Sequence, residues 1–88
     1  MKYYCDTERH LVCVPYSEEN LHKMAEALDI KKWWFHKGKT GLCHYDIPLK
    51  RIKEISSKCE LVDRREIVKI IRGEKREQKN IISIEAQS

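Results

Sequence analysis

Nothing in this chain approaches the roughly 18 consecutive apolar residues that a membrane-spanning helix requires, so no membrane span and no membrane partner are expected. The opening residues, Met1-Lys2-Tyr3-Tyr4-Cys5-Asp6, lack the apolar stretch of a secretory signal and bring in an acid early. A cytoplasmic, reducing location is the resulting expectation, and disulfides rarely persist there. Cys5, Cys13, Cys43 and Cys59 also lack the short gap, about two to four residues, of a metal knuckle. They are expected to be reduced, metal-free and mostly buried; a zinc site would need His10 or His44 brought in from distant segments. Internal repeats and low-complexity stretches are absent, and 88 residues are too few for two cores. No cofactor and no metal ligand set are expected from these spacings.

What is present reads as one α/β domain over residues 1–73. Tyr3-Tyr4-Cys5 predicts a short strand. His10-Leu11-Val12-Cys13-Val14 predicts a second, apolar on both faces and therefore central, stopped by Pro15. Ser17 is placed to cap a helix whose first turn holds Glu18 and Glu19, and Leu21, Met24, Ala25 and Leu28 repeat at the spacing of one buried face. Trp33-Trp34-Phe35-His36 predicts an aromatic strand, with all three aromatics assigned to the core. A loop then runs through Gly38 and Gly41 to Pro48, where a helix carrying Leu49, Ile52 and Ile55 begins. Glu60-Leu61-Val62-Asp63 predicts a last short strand. Asp63 and Glu66 form a capping-box pair for a helix lined by Ile67, Ile70 and Ile71 and ended by Gly73. Alternating strands and helices predict a small three-layer domain, a mostly parallel sheet of three or four strands flanked by three helices. Its expected core is Leu11, Val12, Val14, Leu21, Met24, Leu28, Ile52, Ile55, Val62, Ile67 and Ile70. Residues 74–88 read as a charged linker followed by an apolar segment, with Ile81-Ile82-Ser83-Ile84 expected to pair as an edge strand or with a second copy in a homodimer.

The formal net charge of +4 hides an uneven distribution. Residues 31–53 hold seven basic side chains (Lys31, Lys32, Lys37, Lys39, Lys50, Arg51 and Lys53) against the single acid Asp46. That basic middle coincides with the loop at which an open parallel sheet would bind its ligand, an electrostatic footprint for a phosphate-bearing partner such as a nucleic acid or nucleotide. Gly38-Lys39-Thr40 is not a nucleotide loop of the Walker type, because Trp33 stands where the first glycine is required. Its glycines still allow backbone amides close to an anion, so Lys37, Gly38, Lys39, Thr40, Lys50 and Arg51 are the expected ligand-binding set.

His44-Tyr45-Asp46 is the candidate catalytic constellation: an acid/base group, a phenol donor and an orienting carboxylate in a row. His22, at the edge of the first helix's apolar face, and His10 are candidate partners. The competing structural reading has Asp46 capping the second helix while His44 and Tyr45 bond to loop carbonyls. A parallel sheet would put His10 at the edge opposite His44, and a tight hairpin at Thr7-Glu8-Arg9 would put it beside Asp6, also away from His44.

The series His10, Ser17-Glu18-Glu19-Asn20-Leu21-His22-Lys23-Met24-Ala25, Trp34-Phe35-His36 and His44-Tyr45-Asp46-Ile47 resembles the domain of unknown function 4031 family over about residues 3 to 72. The resemblance implies a shared fold and a convergence of Asp6, His10, His22, His44, Tyr45 and Asp46; it implies no activity. Three expectations for function follow. The first is a small phosphate-recognising module for nucleic acid or a nucleotide. The second is a metal-independent hydrolase or phosphoesterase using the His-Tyr-Asp residues. The third is a protein-binding inhibitor.

Overall fold

The computed structural model describes residues 1–38 and 41–73. Its elements are β1 (Lys2–Cys5), β2 (His10–Val14), α1 (Glu18–Ala27), β3 (Phe35–His36), β4 (His44–Asp46), α2 (Ile52–Ser56), β5 (Glu60–Leu61) and α3 (Arg64–Ile71). Single 3-10 turns at Lys32–Trp34 and Leu49–Arg51 lead into β3 and α2. Lys39 and Thr40 lie outside the described residues, as do the expected linker at 74–80 and the homodimer segment at 81–84. Among the described residues no helix is long and apolar enough to cross a membrane.

The sheet has five strands in the order β3-β4-β2-β1-β5. It is mixed and mostly antiparallel, which corrects the expected parallel sheet of three or four strands. β1–β2, β2–β4 and β3–β4 are antiparallel, and the parallel pair is β1–β5. The reason is local. Asp6 Oδ1 accepts from the amides of Glu8 and His10 at 2.9 and 3.0 Å, and Arg9 takes a positive φ of 72°. So tight a turn can only return the chain antiparallel, because a parallel crossover needs a dozen residues or more.

Strand alternation divides the sheet between its two helical layers. On one side Leu11, Tyr45 and Phe35 lie in register beside α1. On the other, His10, His44 and Asp46 share the face of Val12 and Tyr4, which α3 covers. Leu11, Val12 and Cys13 are all fully buried, as a central strand covered on both sides must be.

The expected core residues Leu11, Val12, Leu21, Met24, Leu28, Ile55, Ile67 and Ile70 are buried, and Val62 is half-buried. Val14 and Ile52 are exposed instead. Val14 ends its strand opposite Lys2. The spacing of Leu49 and Ile52 falls in a 3-10 turn, which stacks them on one outward side and leaves only Ile55 to the core. The same kind of turn undoes the aromatic strand: Lys32–Trp34 is helical, so Trp33 is 75% exposed rather than core. Helix ends follow the sequence closely. Ser17 Oγ accepts from the Asn20 amide, Asp63 Oδ1 accepts from the Glu66 amide, and Gly73 leaves α3 at φ 76°.

Candidate functional site

Antiparallel pairing of β2 with β4 sets His10 directly opposite Asp46. The expectation that a hairpin would carry His10 away from His44 is thereby corrected, since β4 pairs with the same strand that the hairpin delivers. The His10 and His44 rings meet edge-on at 4.9 Å, and His36 stacks on His44 at 5.6 Å. Asp46 lies between the latter pair: His36 Nε2 is 2.9 Å from Oδ2, and His44 Nε2 is 3.3 Å from Oδ1. Asp46 therefore serves the histidines and does not cap the following helix, which has no side-chain cap.

Two contacts fix how the rings face. His44 Nδ1 lies 3.0 Å from the Leu42 carbonyl, which can only accept, so Nδ1 carries the hydrogen and Nε2 faces Asp46. His10 Nδ1 donates to Asp6 Oδ2 at 2.8 Å, leaving the lone pair on Nε2. Asp6 is buried, and its other oxygen holds the two turn amides, so the orienting carboxylate is itself fixed. One donor atom from each of His10, His44 and Asp46 falls within a span of 4.8 Å, and all three side chains are partly exposed. They could hold a metal ion or move a proton at one point.

The residues of the His-Tyr-Asp string do not share an opening. Residues 44–46 form a strand, not a loop, so alternation sends Tyr45 to the α1 side. There the buried Tyr45 hydroxyl bonds His22 Nδ1 at 2.7 Å, with Phe35 packed against both rings. Burial pushes the Tyr45 phenol above its ordinary pKa. His22 also reaches Glu18 at 3.7 Å. Of the six residues whose convergence the resemblance implied, Asp6, His10, His44 and Asp46 meet on the α3 face, whereas His22 and Tyr45 meet on the α1 face.

The basic residues are likewise divided. Arg51 donates to the carbonyls of Leu28 and Asp29 at 2.7 and 2.6 Å and to Glu54, so it closes the end of α1. Lys50, with Lys31, Trp34 and Arg51, lines a hollow of about 360 Å³. A larger cleft of about 500 Å³ along α1 is lined by His22 and Tyr45 among mixed charges. The histidine face opens into a smaller hollow of about 140 Å³, lined by His10, His44, Leu42, Ile67 and Ile71, with Arg64 on its wall. Arg64 continues into a second hollow of about 330 Å³ with Arg65, Lys69 and Arg72. The convergent chemistry lies in the small histidine hollow and not in the larger cleft along α1. Lys37 and Gly38 flank the β3–β4 connection, and Lys39 and Thr40 lie outside the described residues. Sequence reading overlooked His36 and Arg64. A hairpin signal in Gly38–Gly41 would have paired His36 with His44.

All four cysteines are free, three buried and Cys59 half-buried. Burial pushes the Cys13 thiol up to about 11 and Cys59 up to about 12; Tyr16, whose hydroxyl donates to the Cys43 carbonyl, is also pushed by burial to about 12. These groups stay protonated in the fold where the unfolded chain has ionised. The stability they contribute is present below pH about 9 and is lost as pH rises towards 11–12. Urea midpoints should fall progressively above pH about 9, and aromatic disulfide reagents should modify the native thiols far more slowly than the unfolded ones. A flat midpoint to pH about 11 would refute the assignment.

One family, described as "Protein of unknown function (DUF4031)", matches residues 6–74. No curated protein and no solved structure matches the chain.

Proposed function

We infer, for a chain that belongs to the family described as protein of unknown function (DUF4031), that it is a small hydrolase of phosphate esters working at the Asp6–His10–His44–Asp46 cluster. The observation carrying this reading is the meeting of His10, His44 and Asp46 donor atoms within 4.8 Å beside a hollow walled by Arg64. A water at that point would lose a proton to an imidazole Nε2 as its oxygen bonds to phosphorus. The phosphorus–oxygen bond to the alcohol breaks in the same displacement, and the departing alkoxide takes its proton from solvent. Arg64 would hold the phosphate oxygens, and Arg65, Lys69 and Arg72 supply a cationic approach for a nucleotide or a nucleic-acid strand.

The test is turnover of p-nitrophenyl phosphate, bis(p-nitrophenyl) phosphate and a labelled single-stranded oligonucleotide, with and without added divalent ions. Turnover of at least one, lost in His44→Ala, is expected. No turnover of any of them, or undiminished turnover in the variant, defeats the reading.

A second reading, nucleic-acid binding without chemistry, is favoured by the separate hollow of Lys31, Trp34, Lys50 and Arg51, where cations flank an aromatic ring. The two surfaces separate by mutation. If Arg64, Arg65, Lys69 and Arg72 contact a single strand, log affinity should fall against log salt with a slope of about −3. Substituting Arg64 and Arg65 by alanine should flatten that slope by about 1 to 1.5, whereas Lys31→Ala with Lys50→Ala should leave it unchanged. The reverse pattern moves binding to the other hollow.

A further inference from the structure

We propose that His10, His44 and Asp46 form a binding site for one divalent transition-metal ion of the zinc type, with an open coordination position for water. This deepens the hydrolase reading of the same site, although the metal site rests on its own geometry: with both Nε2 atoms as ligands, the ion would take over from an imidazole the task of acidifying the water.

His44 and Asp46 face each other with mismatched lone pairs. His44 Nδ1 is committed as a donor to the Leu42 carbonyl, so a neutral His44 turns an Nε2 lone pair towards Asp46 Oδ1, 3.3 Å away. Two acceptors at that distance repel unless a proton or a cation stands between them. Once Nδ1 donates to Asp6, a neutral His10 likewise keeps its lone pair on Nε2. Asp46 Oδ2 already faces His36, which can donate to it through Nε2. A proton would resolve only the His44–Asp46 contact. One cation resolves it and takes up His10 as well.

The distances fit as well. Ligand bonds of about 2.0–2.1 Å place neighbouring ligand atoms about 2.8–3.4 Å apart in octahedral or tetrahedral geometry, and the 3.3 Å between His44 Nε2 and Asp46 Oδ1 falls in that range. His10 offers a ligand atom within 4.8 Å of those of His44 and Asp46, and its side chain is partly exposed.

The groups supporting His10 and His44 also suit metal ligands. Imidazoles that ligate metals ordinarily give their other nitrogen to a carboxylate or a backbone carbonyl, and His10 and His44 supply one instance of each. Two nitrogens and one carboxylate favour zinc, cobalt, nickel or iron over magnesium or calcium, which prefer all-oxygen sites. Three protein ligands are also the number that leaves a position for water.

The experiment uses the full chain, reduced and stripped with EDTA, titrated with Zn²⁺ by calorimetry and with Co²⁺ by visible absorption. One equivalent is expected, with cobalt d–d bands and no thiolate charge-transfer band. His44→Ala and Asp46→Asn should each abolish binding. Asp6→Asn keeps an oxygen for the turn amides but loses the acceptor for His10, and should weaken affinity about 10–100-fold. Cys43→Ser and Cys59→Ser should leave stoichiometry unchanged. Zinc at a hundredfold excess over Kd should raise the wild-type Tm by roughly 10–20 °C and leave a folded His44→Ala or Asp46→Asn chain unmoved. Absence of binding, or binding that survives in both those variants and disappears with the cysteines, overturns the proposal. Metal binding without phosphoester turnover would support the site while defeating the hydrolase reading; turnover in EDTA by a chain that binds neither Zn²⁺ nor Co²⁺ would do the opposite.

Discussion

Replacing Leu11 by alanine is expected to lower the free energy of unfolding by about 3–5 kcal/mol. Leu11 is fully buried on the central strand, flanked in register by Cys5 on β1 and Tyr45 on β4. Truncation removes the transfer energy of its isobutyl group and leaves a cavity. The sheet cannot close over that cavity, because β2 is hydrogen-bonded on both edges. A chain of 88 residues has a total stability on the order of 4–13 kcal/mol, so this one change could consume most of it. Urea unfolding followed by tryptophan fluorescence measures the loss. Val14→Ala, at an exposed position on the same strand, should cost no more than about 1 kcal/mol. Similar losses for the two variants would contradict the layering described for β2.

The other large effect concerns the histidine face. His44→Ala is expected to reduce phosphoester turnover about 1000-fold or more, whichever way its Nε2 acts, by moving a proton or by holding a cation. His22→Ala should change turnover by less than about 3-fold, although His22 and His44 both lie near Tyr45 in the fold. The sheet stands between them: Tyr45 and His22 bond to each other on the α1 side, while His44 and Asp46 look towards α3. Tyr45→Phe should cost about 1 kcal/mol of stability through the lost bond to His22 and leave turnover in place. Rates measured alongside circular dichroism and Tm separate a damaged site from a damaged fold. Equal losses in His22→Ala and His44→Ala would place the chemistry on both faces and defeat the assignment to one.

Much of the local structure was legible because its causes are local. A hydroxyl or carboxylate at an N-cap bonds an amide three residues on, so Ser17 and Asp63 mark helix starts without reference to the rest of the chain. Leu21, Met24 and Ala25 mark α1 by spacing alone, and all three are buried. Short elements were less readable. β3 and β5 have two residues each and β4 has three, too few for any period to register. Trp33-Trp34-Phe35 has strand composition, yet a 3-10 turn claims the tryptophans and leaves only Phe35 to the strand.

The amino-acid order by itself determined that this is a small α/β domain with an apolar central strand, capped helices and histidines beside acids, since composition and near-neighbour chemistry decide those features. It also carried the family resemblance, in the strings around His22 and His44. Only the tertiary structure decided which histidines meet. Strand direction depends on the Asp6 turn, and the partner of β2 depends on a pairing between distant segments that no spacing encodes. Once β4 lies antiparallel to β2, the pleat does the rest. It separates three adjacent residues, His44, Tyr45 and Asp46, onto two faces, and brings His10, far away in the chain, opposite Asp46.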